Sequence, residues 1–125
     1  MLIDSHAHIQ CKEYDGEVEA VIERAREAGV EKIIAVGGAG DISSNTDAIA
    51  LADSFQAVYA SVGMHPHDAK DVGPEELEAL RRLTTHPKVV AVGETGLDYY
   101  YNHSPHEVQE RVFRNFIHMV LSFFV

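Results

Sequence analysis

The strongest constraint on this chain is a rhythm. Four times over, an apolar run suited to a strand is followed by an amphipathic stretch suited to a helix. The runs begin near Ile3, Lys32, Ala57 and Lys88, roughly 25–32 residues apart, the length of one βα unit. In "DGEVEAVIERAREAG" the residues Val18, Val21, Ile22 and Ala25 recur at helical spacing between charges. Asp15 suits the N-cap of that helix, and Gly29 the left-handed residue past its last turn. "DISSNTDAIALADSF" reads as the second helix, and "PEELEALRRL" as the third, with Pro74 in its first position. "SPHEVQERVFRNFIHMV" reads as the fourth, opened by Pro105 and a capping box of Ser104 and Glu107.

The runs "EKIIAVGG", "AVYASVGMH" and "KVVAVGE" are nearly continuous in apolar residues, as expected of strands covered on both faces. This pattern predicts an α/β fold with a parallel sheet and helices outside. Two architectures accommodate it. One is an open doubly wound sheet. The other is a TIM (β/α)8 barrel, which takes ~250 residues for eight units, so that four consecutive βα units make its N-terminal half. The chain has 125 residues, enough for one domain spanning 1–125. The single cysteine, Cys11, cannot form an internal disulfide. Asp4 interrupts the apolar start, and "MVLSFFV" is too short to span a bilayer, so a cytoplasmic protein with no membrane segment is expected. The net charge of −10 argues against holding nucleic acid on a basic surface. Bound divalent cations would reverse the local field, so a nucleic-acid enzyme stays open.

The residues with chemistry lie at strand ends. In "LIDSHAHI" a period of two sends Asp4, His6 and His8 to one face and Ile3, Ala7 and Ile9 to the other. In a barrel the first set faces the axis and the second the helices. Two imidazoles at the mouth form part of a site for a divalent metal, or else a solvated strand end. "VGGAG" can cradle phosphate, but a plain βα turn is the simpler reading. "GMHPH" puts His65 and His67 after the third strand, either able to reach the same mouth. "VGETGLDYYY" puts Glu94 directly after the fourth, where a carboxylate can bridge two cations. Tyr99, Tyr100 and Tyr101 line a pocket there or pack over the rim. His86, His103, His106 and His118 are assigned to no site, and Cys11 reads as a bystander.

Together "LIDSHAHI", "VGMHPH" and "AVGETGLDYYY", in this order, resemble the TatD family of metal-dependent hydrolases, over the chain to about Phe116. The resemblance implies a TIM barrel. It implies that His6 and His8 bind one metal, that Glu94 bridges two, and that Glu94 and His65 serve catalysis. The cofactors implied are two divalent ions (Mg2+, Mn2+ or Zn2+), and the substrate implied is DNA, cleaved at its phosphodiester bonds by metal-activated water. Gln10 stands where the family usually carries an acid. The family also continues into a fifth strand ending in a histidine ligand, then a further histidine and a late aspartate. This chain is therefore expected to be a truncated or frameshifted product, with its activity alone in question. Two alternatives remain: a metal hydrolase of a cyclic amide or ester, and a non-catalytic half-barrel that associates through its open edges.

Overall fold

A computed structural model describes residues 1–123. Four strands alternate with four helices: β1 (Leu2–Ala7), α1 (Val18–Glu27), β2 (Val30–Val36), α2 (Ser43–Ser54), β3 (Val58–Val62), α3 (Pro74–Leu83), β4 (Val89–Val92) and α4 (His106–Phe123). Short 3-10 turns cover Lys12–Tyr14 and Pro66–Asp71. The strands form one sheet in the order β1-β2-β3-β4, and every pair is parallel. The register sets Ala35 against Ala60 and Ala60 against Val89.

Small side chains let a helix sit close to the sheet. Ala48, Ile49 and Ala52 of α2 pack on Ala35, Val58, Ala60, Val62 and Val89. A second cluster joins Val112, Phe116 and Met119 of α4 to Leu80 of α3 and to Met64, Ala69 and Val72 between β3 and α3. α3 occupies the expected residues, with Pro74 in its first turn. The Gly73 N–H donates to Glu76 Oε2 at 2.9 Å, so the N3 carboxylate satisfies an orphan donor.

Three local expectations need correction. Asp15 is not the cap of α1: it closes the Lys12–Tyr14 turn, and Glu17 stands at the N-cap. Ser104 does not form the capping box of α4. Its hydroxyl donates to the His67 carbonyl at 2.7 Å and accepts the Lys70 N–H at 3.0 Å, tying the start of α4 to the Pro66–Asp71 turn. Ile3 is not covered by a helix among the described residues. It is 55% exposed and Leu2 59%, because β1 is an edge strand and only β2 pairs with it among the described residues. Gly29 does adopt the left-handed conformation, at φ 93. Of the apolar tail, Met119 is buried while Leu121 and Phe123 are exposed; Phe124 and Val125 lie outside the described residues. No helix among the described residues is long and apolar enough to cross a membrane.

Candidate metal centre

The C-terminal ends of β2, β3 and β4 are knitted together by backbone bonds between the segments that follow them. The Glu94 N–H donates to the Gly37 carbonyl at 3.0 Å, the His65 N–H to Gly38 at 2.8 Å, and the Gly93 N–H to Val62 at 2.9 Å. The "VGGAG" turn is thus a structural joint rather than a free nest of N–H groups: its Gly37, Gly38 and Gly40 N–H groups go to the Ser61 carbonyl, Ser44 Oγ and Asp68 Oδ2. Close approach is possible because Gly63 has no side chain. A Cβ there would lie 2.5 Å from the Glu94 carbonyl oxygen.

This scaffold brings His6, His8 and Glu94 together, with one ligand atom from each within 4.8 Å of the others. The two Nε2 atoms are 3.3 Å apart. Glu94 Oε2 lies 3.8 Å from His6 Nε2 and 3.6 Å from His8 Nε2. The other oxygen, Oε1, lies 3.6 Å from His65 Nε2. Metal–ligand bonds of about 2.0–2.2 Å put neighbouring ligands of a tetrahedral ion roughly 3.3–3.6 Å apart. The two nitrogens and the oxygen are therefore spaced to hold a divalent ion with little movement.

Hydrogen-bond partners assign the imidazole protons. His8 Nδ1 is 3.0 Å from the Val36 carbonyl, which only accepts. The proton sits on Nδ1, and Nε2 turns a lone pair toward the cluster, the tautomer that a ligating histidine needs. His65 is the reverse. Its Nδ1 accepts the His67 N–H at 3.1 Å, so in the neutral ring Nε2 carries the proton and is a donor. His65 is set to donate toward Glu94 or an incoming oxygen, not to ligate a cation through Nε2.

His67 is not part of this cluster. Its Nε2 pairs with Asp98 Oδ2 at 2.5 Å. Asp98 Oδ1 accepts the N–H groups of Tyr100 at 2.9 Å and Tyr101 at 3.1 Å. The Tyr101 N–H first, then the His67 side chain, hold the Asp98 carboxyl below the usual range. Burial, then the charges of Glu13 and Asp47, push the Cys11 thiol up, which keeps it a poor nucleophile. His86 pairs with Asp53 at 3.4 Å, away from the cluster.

Two supporting residues escape the sequence reading. Asn45 is buried and bonds both backbone groups of Gly63: Oδ1 accepts the N–H at 2.8 Å and Nδ2 donates to the carbonyl at 3.1 Å. Gln109, also buried, accepts the Asp98 N–H at 2.8 Å and donates to the carbonyls of Asp98 and Ser104 at 3.0 and 2.8 Å. Each occupies an apolar helix stripe, Asn45 with Ala48 and Ala52, Gln109 with Val112 and Phe116. A lone amide on such a stripe is the signal that could have found them, since buried amides need partners.

Comparison with known proteins identifies the family of the chain. The sequence model of the family described as TatD related DNase matches residues 3–122. The chain is 44% identical over 115 residues to the uncharacterized metal-dependent hydrolase YabD of Bacillus subtilis (strain 168), covering 92% of this chain and 44% of the relative. It is 34% identical over 112 residues to the 3'-5' ssDNA/RNA exonuclease TatD of Cronobacter turicensis, covering 90% and 42%. The crystal structure of YjjV, a TatD homolog from Escherichia coli K12, superposes with a TM-score of 0.88 at 31% identity, covering 99% of this chain and 48% of that one. The chain thus spans less than half the length of these relatives. With the family model matched from Ile3 to Ser122, and its strand-end histidines and glutamate gathered as described, the chain belongs to the TatD related DNase family of metal-dependent hydrolases.

Proposed function

We propose that residues 1–125 form one domain, the N-terminal half of a (β/α)8 barrel, carrying part of a divalent-cation site for hydrolysis of nucleic-acid phosphodiesters. The observation that carries this reading is the gathering of His6, His8 and Glu94 at the C-terminal ends of parallel strands, where barrel enzymes keep their active sites. His6 and His8 would hold one cation through Nε2. Glu94 has Oε2 turned to that pair and Oε1 turned away, toward His65, so its carboxylate suits a bridge between two ions. A divalent ion bound there supplies positive charge where the phosphoryl group becomes more negative. His65 donates Nε2–H beside that point and orients Glu94 or a substrate oxygen. The name of the Cronobacter relative, an ssDNA/RNA exonuclease, supports nucleic acid as the substrate.

Two imidazoles and one carboxylate leave an ion short of the four to six ligands it prefers, so binding is expected to be weak and turnover by this chain low. Zn2+ and Mn2+ should bind better than Mg2+, which prefers oxygen ligands. Calorimetric titration with Mn2+ or Zn2+ should show affinity falling roughly tenfold or more in His6→Ala and in Glu94→Gln, about 1.4 kcal/mol or more. Parent-like affinity in both variants would remove the pair and the carboxylate from the site. Metal-dependent cleavage should be found on single-stranded DNA and not on p-nitrophenyl esters; the reverse preference would favour a carbonyl substrate.

A second expectation arises from the sheet itself. The outer edges of β1 and β4 are unpaired among the described residues, and Leu2, Ile3 and Val90 are exposed along them. Such edges template further pairing. The chain by itself is expected to associate with copies of itself, read as a mass above the monomer in size-exclusion chromatography with light scattering. A stable monomer at high protein concentration would refute it.

A further inference from the structure

The loop between β4 and α4 carries three tyrosines, and they differ in what they do. Tyr99, 44% exposed, is engaged by its neighbours: its hydroxyl donates to Glu110 Oε1 at 2.9 Å and its ring stacks on His106 at 4.0 Å between centroids. Tyr100 and Tyr101 are more open still, at 84% and 61% exposed. Their backbone is nonetheless pinned. Asp98 Oδ1 takes both N–H groups, and Asn102, left-handed at φ 55, donates from Nδ2 to the Tyr99 and Tyr100 carbonyls. Aromatic faces held out on an ordered backbone lose little freedom when something stacks on them.

Their surroundings point to the candidate metal centre. The Tyr101 ring lies nearly parallel to His103, at 6° and 5.8 Å, and edge-on to His67 at 5.5 Å. His67 and His103 line a cavity of about 520 Å³ together with His65 and Lys70. His65 belongs to both places, since its Nε2 is 3.6 Å from Glu94. The aromatic rim is therefore continuous with the cluster of His6, His8 and Glu94.

We propose that Tyr100, Tyr101 and His103 form a stacking platform for the bases of a single-stranded nucleic acid whose backbone passes His65 toward the cluster. This rests on the nucleic-acid hydrolase reading above. The charge balance favours stacking as the source of affinity. The chain carries a net charge of −10. Among the described residues, Lys70 is the one Lys or Arg side chain lining the cavity, and the Asp68 carboxylate shares its wall. Phosphate contacts alone give such a surface little hold on a polyanion. Every base has a π-face that can stack on an aromatic side chain without a basic groove. A duplex keeps those faces inside its own stack, so the platform selects unpaired strands.

The test is binding without cleavage. The full chain is titrated in EDTA against a fluorescently labelled single-stranded oligodeoxynucleotide, a duplex of the same length, a strand of abasic residues, and an RNA strand of the same sequence. The single strand should bind more tightly than the duplex or the abasic strand. RNA should bind about as well as DNA, because stacking reads the base and not the sugar. The Tyr100→Ala/Tyr101→Ala double variant should weaken single-strand binding by roughly 5- to 150-fold per stacked base, and Tyr101→Phe should keep parent affinity. Both sites are exposed, and circular dichroism checks the fold. Parent-like binding by the double variant, equal affinity for the abasic strand, or no binding by the parent would each overturn the proposal. The hydrolase reading stands or falls separately, on the metal titrations of His6→Ala and Glu94→Gln.

Discussion

Gly63→Ala is expected to lower the thermal midpoint by roughly 5–15 °C, from an overpacking cost of about 1–3 kcal/mol, and to weaken Mn2+ binding at least about tenfold. Gly63 is buried just past the end of β3. A Cβ there would meet the Glu94 carbonyl oxygen at 2.5 Å and the Gly93 carbonyl carbon at 2.8 Å, against ordinary contacts of 3.4–4 Å. Both neighbours are backbone, so neither can swing aside. The collision cannot be relieved from the Gly63 side either, because Asn45 holds its N–H and its carbonyl. The segment carrying Glu94 must then move away from β3, and the carboxylate leaves His6 and His8. Gly93→Ala is the control. Its Cβ would find only Ser61 Oγ, at 3.8 Å, so it should change both readings little. Differential scanning fluorimetry and calorimetry on the two variants check this. A Gly63→Ala chain with parent midpoint and parent Mn2+ affinity would mean that the β3–β4 turn contact does not position Glu94.

What could be read from the residues beforehand divides along a physical line. Features fixed by neighbouring residues were legible. Pro74 and Glu76 start α3 where local capping chemistry says they should, and Gly29 takes the left-handed turn its position requires. Strand ends were legible as well, because an apolar run that stops at a histidine or glutamate announces where the sheet meets solvent. Features that depend on distant partners were not. Asp15 and Ser104 have the chemistry of caps, but Ser104 spends its hydroxyl on a segment 37 residues away. The burial of Ile3 needs neighbours across β1 that the described residues do not supply. The division of the two histidines in "GMHPH" is also long-range: His65 turns to Glu94, and His67 to Asp98, 31 residues on.

Phe116→Ala should have the larger effect on stability and the smaller effect on the cluster. Phe116 is almost wholly buried. Its ring fills the second core, among Met64, Val72, Leu80, Val112 and Met119. Truncation of such a side chain costs about 3–5 kcal/mol, the lost transfer energy plus the cavity left behind. That is a fifth or more of the roughly 5–15 kcal/mol that holds a typical domain folded. The denaturation midpoint should fall steeply while the urea dependence keeps its slope. Met119→Leu, which nearly conserves volume, should cost less than about 1.5 kcal/mol. The functional consequence runs through Gln109, which sits on the same helix and holds Asp98 and Ser104. When α4 loosens, the tyrosine loop loses its anchor, so single-strand binding should fall with it. His6, His8 and Glu94 stand on β1, the turn after it and the turn after β4, outside this core. Well below the midpoint, the variant's Mn2+ affinity should stay near that of the parent. Gly63→Ala thus moves both the metal isotherm and the melting curve, whereas Phe116→Ala moves the melting curve and leaves the isotherm in place. A Phe116→Ala chain that loses Mn2+ affinity while still folded would show that the second core and the cluster are mechanically one unit.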